Sequence, residues 1–423
     1  MLTHFKEKYI GSASFYKRYL CLALPMILQN AITKLVSFLD NIMVGQLGTE
    51  PMSGVAIVNQ LIFVYNLAIF GAVSAASIFG AQYFGKGNHK GHMHSFRFKL
   101  YASLAMTGAT ILLFMTKGST LISLYLTDTT GSGATEAALQ YGLEYLAIMM
   151  IGLIPFAINQ SYATNIKETG QTLIPMIASF AAVGINAVLD YLLIFGLGPI
   201  PKMGVIGAAL ATVIARYIEA LIVIVWAHTN RAKNRYLEGA YRGFGIPKAE
   251  FKAILIKGLP LMLNEVFWAA GMTTVTQCYS VRGLEVIAGL NIATTITNLF
   301  NIIYIQLGGC ISIVVGQYLG AGKLKEAKDA DNKMIVFSVF CCAIVAGVML
   351  MFGGLFPQIY NTSEEIKALA TSFIAVSAII MPFCSFSHAS YFTLRSGGKT
   401  MVTFLFDSVF TWVVVVPAAF LLA

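Results

Sequence analysis

Apolar residues run along this chain in long, nearly unbroken stretches, not in the narrow stripe of a surface helix or the alternation of a half-buried strand. Stretches that reach membrane-crossing length, roughly 20 mostly apolar residues, begin near Tyr19, Met52, Phe98, Ala137, Thr172, Val205, Ile254, Val286, Met334, Ile366 and Met401. The pattern therefore predicts eleven spans and an all-α membrane protein. Several stretches outrun the bilayer thickness, which predicts tilted helices. Prolines at 25, 155, 175, 260 and 382 fall inside these stretches and predict kinks where backbone groups are freed.

The polar segments between spans differ in charge. With the N-terminus inside, 22 of the 28 Lys and Arg residues fall on inside segments, from Lys6, Lys8, Lys17 and Arg18 through Lys86, Lys90, Arg97 and Lys99 to Arg395 and Lys399. Outside loops hold Lys117, Lys202, Arg282 and Lys367, and Lys34 and Arg216 lie within spans. That asymmetry predicts a cytoplasmic N-terminus in a cell inner (plasma) membrane. The longest hydrophilic stretch contains RAKNRYLEGAYRGFG. It predicts a cytoplasmic linker at 229–253 between an N-terminal lobe, 1–228, and a C-terminal lobe, 254–423.

The two lobes repeat one plan. A shift of 235 aligns Pro25 with Pro260, Gly48 with Gly283, Glu50 with Glu285, Gly54 with Gly289, and GAQYFGKGNHK (80–90) with VGQYLGAGKLK (315–325). A shift of 228 aligns KETGQT (167–172) with RSGGKT (395–400). Six spans in the first lobe return the chain to its starting side, so the repeats are parallel. The counterpart of the sixth span would fall near 433, past residue 423. The expected fold is thus two six-helix lobes with the twelfth helix missing from this chain and five spans in the second lobe.

Composition narrows the function. Of 423 residues, 57% are hydrophobic and 11% charged, against about 25% charged in a soluble protein. The formal charge of +9 is a topogenic signal whose attraction to anionic lipid is secondary. Without a basic stripe interleaved with aromatics, no nucleic-acid partner is expected. Six cysteines form no C-x-x-C pair and read as packing residues. No Walker motif, catalytic-triad spacing or nucleophile elbow is present, so neither an enzyme nor an ATP-driven pump is expected, and no cofactor.

Ionisable groups inside spans are candidate functional residues: Lys34, Asp40, Glu144, Asp190, Arg216, Glu219, Glu265, His388 and Asp407. Acids outnumber bases, which suits a cationic cargo or a coupling ion. Asn186 and Asp190 are four apart and share a helix face; they form either an ion site of hard oxygens or a pair that ties helices together. Asp40 is either part of such a site or an interfacial cap. Arg216 and Glu219, three apart, most simply neutralise each other. Glu265 follows Pro260 by five residues, where a broken helix would open a cavity. His388 reads as a structural hydrogen-bonding residue, and His89, His92 and His94 as a solvated basic loop.

Several of these segments resemble the multidrug and toxic compound extrusion (MATE) transporters: LPMILQN…LDNIMVGQLGTEPMSGVAIVNQ (24–60), GAQYFGKGN (80–88), GINAVLDYLLIFGLG (184–198), MGVIGAALATVIAR (203–216) and VGQYLGAGK (315–323). The resemblance covers essentially the whole chain. It implies two six-helix lobes in a V and a secondary active multidrug antiporter, monomeric, that exports small organic cations in exchange for H⁺ or Na⁺ by alternating access. It also implies a cation-coupling site at Asp40, Asn186, Asp190 and Thr212, with Na⁺ as the only metal ion, and a helix bend at Pro25. Some members pair a seventh-span Glu, matched by Glu265, with a tenth-span Asp. This tenth span, SAIIMPFCSFSHASYFTL, has none, so Glu265 is left as a possible substrate or C-lobe residue. The alternative is a flippase for lipid-linked oligosaccharide precursors, which would need a cavity rich in Arg and Lys.

Overall fold

A computed structural model describes residues 8–126, 132–196, 201–243 and 245–422; Lys6, counted above as an inside charge, lies outside them. Eleven helices among these residues are long and apolar enough to cross a membrane. They are α1 (Ala13–Gly45), α2 (Thr49–Gly85), α3 (His89–Ser123), α4 (Ser132–Glu168), α5 (Leu173–Phe195) and α6 (Gly204–Thr229), then α7 (Lys248–Ser280), α8 (Leu284–Gly320), α9 (Leu324–Phe352), α10 (Glu364–Ser396) and α11 (Thr400–Leu422). Most start several residues before the apolar stretches that announce them, because a helix satisfies its own backbone hydrogen bonds and continues past the hydrocarbon.

The internal repeat reappears as geometry. α1 and α7 are both 33 residues long, α2 and α8 both 37, and the shift of 235 relates their ends. The turns repeat as well. Gly48 and Gly283 have φ of 127° and 111°, Gly87 and Gly322 of 70° and 73°, and Gly170 and Gly398 of 83° and 73°. Side chains disfavour this left-handed region, which explains why glycine recurs at these three turns of each half.

Two compact units are defined by internal packing. One takes the chain up to Ile27, Ile78–Asn88 and everything from Lys252; the other takes Leu28–Ser77 and His89–Phe251. The chain therefore passes between units within α1, two residues after Pro25, and again within α2.

In the second of these units, Val58, Ile69, Ile122, Leu153, Ile194 and Ala209 are fully buried at the centre of one cluster. Small residues let its helices close up: a Cβ on Gly54 would stand 2.5 Å from the Ala138 carbonyl oxygen, and one on Gly207 2.5 Å from that of Leu193. In the first unit, Tyr19, Met26, Leu307, Cys310, Ile311 and Met334 form one core, and the Tyr19 hydroxyl donates to the Leu307 carbonyl at 2.9 Å. Large apolar side chains such as Met115, Phe383 and Phe406 stay more than 70% exposed, as a lipid-facing surface requires. The six cysteines are all free.

The basic segments are less solvated than the sequence suggests. Arg97 and Lys99 lie on α3 and are buried. Arg97 donates to four backbone carbonyls of the linker, at Gly239, Ala240, Arg242 and Gly245, at 2.7–3.2 Å. Lys99 pairs with Glu168 and Asn165 at the end of α4. The expected solvated histidine loop is instead the first turns of α3. His92 is buried with Nε2 3.3 Å from Glu168, and His94 Nδ1 lies 2.8 Å from Glu250. A buried lysine needs a carboxylate partner, and that partner comes from a helix the local sequence does not contain.

Candidate cation site

α5 is sorted into two faces by its own sequence. Its buried positions are Pro175, Ala178, Ser179, Ala182, Asn186, Asp190 and Ile194, all but the adjacent Ala178 and Ser179 spaced three or four apart, as one stripe of a helix. Ile177, Val188 and Tyr191 on the opposite face are exposed. The stripe is small and polar where most stripes are apolar, so its polar atoms must find partners inside the protein.

Asp190 finds few. It is 1% exposed, and neither carboxylate oxygen accepts a hydrogen bond in good geometry; the Asn186 Nδ2 amide is likewise buried without an acceptor. What stands next to Asp190 is a second acid. The Asp40 carboxyl, half-buried near the C-terminal end of α1, lies within hydrogen-bonding reach of it, and the Asn186 side chain lies close to it as well. Two carboxyl groups that close hold together only by sharing a proton or a cation. The arrangement is a pair of acids whose mutual repulsion a shared proton or a cation would relieve.

Around this pair the structure adds residues that the sequence left unassigned. Tyr145 on α4 is buried, and its hydroxyl donates to Asn59 Oδ1 on α2 at 3.4 Å. It lies in electrostatic range of Arg216, Asp40 and Asp190. Nothing in the local sequence marks Tyr145 among 19 tyrosines; only the approach of α4 to α1 and α5 selects it. Thr212 sits half-buried on α6, and no side-chain hydrogen bond links it to the acidic pair among the described residues. Pro25 is buried inside α1, which runs through it as one helix in the other unit.

Arg216 and Glu219 stay in electrostatic range of each other without forming a direct ion pair. Glu219 accepts from the Ser179 hydroxyl, which in turn accepts from Gln29 Nε2 at 2.8 Å. The Arg216 guanidinium lies over the Phe156 ring, 5.3 Å from its centroid, and Nη1 reaches the Gly152 carbonyl at 3.4 Å. Spacing of three along a helix permits a pair, but here each side chain turns to a different neighbouring helix.

Glu265 lies half-buried on α7 in the other unit, in electrostatic range of Arg395 and Asp407. The absent tenth-span acid has a different neighbour in its place. Asp407 on α11 accepts from Asn264 Nδ2 at 2.8 Å, and the Ser408 hydroxyl donates to Asn264 Oδ1 at 2.8 Å. Around Asp407 the helix widens into two π-helical stretches, Leu405–Val409 and Thr411–Val415. His388 Nδ1 lies 3.0 Å from the Cys384 carbonyl, and its ring packs on Tyr304. Among the described residues no three His, Cys, Asp or Glu side chains form a metal-binding group.

The sequence was compared with known proteins. A family profile described as MatE matches residues 25–192 and 260–421. A probable multidrug resistance protein NorM of Thermotoga maritima is 24% identical over 407 residues, covering 96% of this chain and 85% of that protein. One of the same description from Oceanobacillus iheyensis is 26% identical over 409 residues, covering 96% and 89%. Among solved structures, a MATE protein in the bent conformation superposes with a TM-score of 0.84 at 20% identity, covering 95% of this chain and 87% of that one. The same fold in the straight conformation gives 0.83 at 21% identity, covering 96% and 88%.

Proposed function

The chain belongs to the MATE family of transporters, and from that premise we propose that it is a multidrug antiporter, exporting organic cations in exchange for H⁺ or Na⁺. It works from a plasma membrane with its N-terminus in the cytoplasm, as a monomer. The observation that carries this reading is the Asp40–Asp190 contact: two acids that meet in a membrane-spanning region, with neither oxygen of Asp190 accepting a well-formed hydrogen bond. A carboxyl pair of this kind discriminates between the two states that alternating access needs. Occupied by H⁺ or Na⁺ it is neutralised; vacated, it attracts the next cation. A ligand shifts a conformational equilibrium only by its difference in affinity for the two states, and the charge of this pair supplies such a difference.

Asn186 holds one side of Asp190 and supplies an amide oxygen, and Thr212 supplies a hydroxyl from α6. Hard oxygens of this type suit Na⁺, while the carboxyl–carboxyl contact suits a shared proton. Pro25 marks where α1 bends. Glu265 serves the substrate path in the other unit.

Uptake of a fluorescent organic cation into inverted vesicles tests the reading, with H⁺ and Na⁺ gradients imposed separately. Uptake driven by one gradient establishes antiport and identifies the ion. Folded protein that transports under neither gradient overturns it in favour of the flippase.

A further inference from the structure

The start of α1 frames a cavity for which the cation site gives no use. It measures about 210 Å³, well above the roughly 10–15 Å³ that one water needs. It lies inside one unit, between α1, α8 and α9. Ser12, Ser14, Arg18 and Tyr318 line it with polar groups, and Leu22 and Val314 with apolar ones. Tyr19 lines it too, with its hydroxyl already bonded to the Leu307 carbonyl. Arg18 is the one charged side chain in this lining, and no Asp or Glu enters it among the described residues. The arginine carries five N–H donors, and none of them meets a protein partner among the described residues. Ser12 takes the N–H groups of Phe15 and Tyr16 at 3.0–3.3 Å. Those of Ala13 and Ser14 are left at the positive end of the helix dipole, where phosphate groups bind. Tyr318 comes from VGQYLGAGK, the repeated segment that the transport site does not use.

We propose that this cavity holds the phosphate headgroup of an anionic phospholipid. Arg18 and the first turn of α1 take the phosphate, the Ser14 and Tyr318 hydroxyls donate to it, and Leu22 and Val314 meet the first methylenes of an acyl chain. Depth along the helix favours a lipid over a free phosphate ion. The apolar stretch of α1 begins at Tyr19, directly after Arg18, so the guanidinium stands where hydrocarbon gives way to headgroups. Leu20 and Leu24 on the same helix are exposed, as lipid-facing side chains are. A free phosphate gains nothing from an apolar wall, whereas a lipid buries methylenes against it. The bound lipid joins the start of α1 to α8 and α9.

The test is native mass spectrometry of the purified full-length chain in detergent, titrated with dioleoylphosphatidylglycerol. Wild type should hold one lipid more tightly than any further ones, and more tightly than it holds dioleoylphosphatidylcholine. Arg18→Gln should weaken that first site at least about tenfold, the value of hydrogen bonds to a charged group. Lys17 is exposed and outside the lining, so Lys17→Gln should stay within about threefold of wild type. Equal losses in the two variants mean diffuse attraction between a basic segment and anionic lipid, and overturn the site. Wild type with no tight first lipid, or with equal affinity for phosphatidylcholine, overturns it too. Displacement of the lipid by an excess of inorganic phosphate assigns the cavity to a free anion and overturns the lipid. Val314→Trp fills the cavity without changing any charge, and should lose the same site; wild-type affinity in the folded variant overturns the proposal. Should Val314→Trp fail to fold, a photoreactive phosphatidylglycerol on wild type should label peptides holding Tyr318 or Met334. Labelling confined to other helices overturns it.

Discussion

Asp190 on α5 and Asp407 on α11 sit on matching helices of the two repeats, and their carboxylates meet different surroundings. Asp407 accepts from Asn264, which is itself held by the Ser408 hydroxyl. Asp190 meets another acid, and neither of its oxygens accepts a well-formed hydrogen bond. A buried carboxylate already given its donors is a structural tie, and removing either partner exposes the other to the full cost of burial. A buried carboxylate without donors is costly when charged unless a proton or a cation neutralises it. One fold plan, repeated, holds two acids in different surroundings, one with its donors and one against a second acid.

Four substitutions can break or sharpen that contrast. The largest effect is expected for Asp190→Asn. Truncating one charge of a buried pair costs about 2–5 kcal/mol, so cation affinity should fall roughly 30-fold or more while circular dichroism still reports a folded helical protein. Next comes Asn264→Leu, which strips Asp407 of its donor and Ser408 of its acceptor. Thermal unfolding in detergent should show a loss of about 1–3 kcal/mol, with cation-driven export retained in vesicles. Asn186→Ala removes one polar neighbour of Asp190 and leaves the acids in place. Asn186 makes no well-formed hydrogen bond to Asp190, so its loss should cost less than a typical net hydrogen bond of about 0.5–1.5 kcal/mol, and an affinity weaker by under about tenfold with unchanged melting is expected. The smallest effect is expected for Asp407→Asn, an isosteric change that preserves a partner for Asn264. Export should stay within about threefold of wild type, with stability lowered by about 1 kcal/mol. Export abolished by Asp407→Asn but spared by Asp190→Asn would reverse the assignment of the two sites.

The buried charges at the start of α3 carry a related lesson. Arg97 looks like one more positive-inside residue, yet it grips four linker carbonyls. Lys99 looks the same and is sealed against Glu168. Topology signals count charges without asking what they touch.

Much of this protein was legible along the chain because lipid imposes a strict local rule: every spanning backbone must bond to itself, so each apolar stretch of sufficient length is a helix wherever it packs. The eleven spans and the register of the repeat follow from that rule, as do the glycines at recurring left-handed turns. Asn186 and Asp190 were legible as neighbours for the same reason, since helix geometry alone places residues four apart on one face. What faces that stripe was not. The contact of Asp40 with Asp190, the Tyr145–Asn59 pair beside it, the separation of Arg216 from Glu219, and the tie between Asn264 and Asp407 each join different helices. In a bilayer the hydrophobic effect does not choose which helices pack together. Small residues and a few polar contacts make that choice, and their partners lie tens to hundreds of residues away.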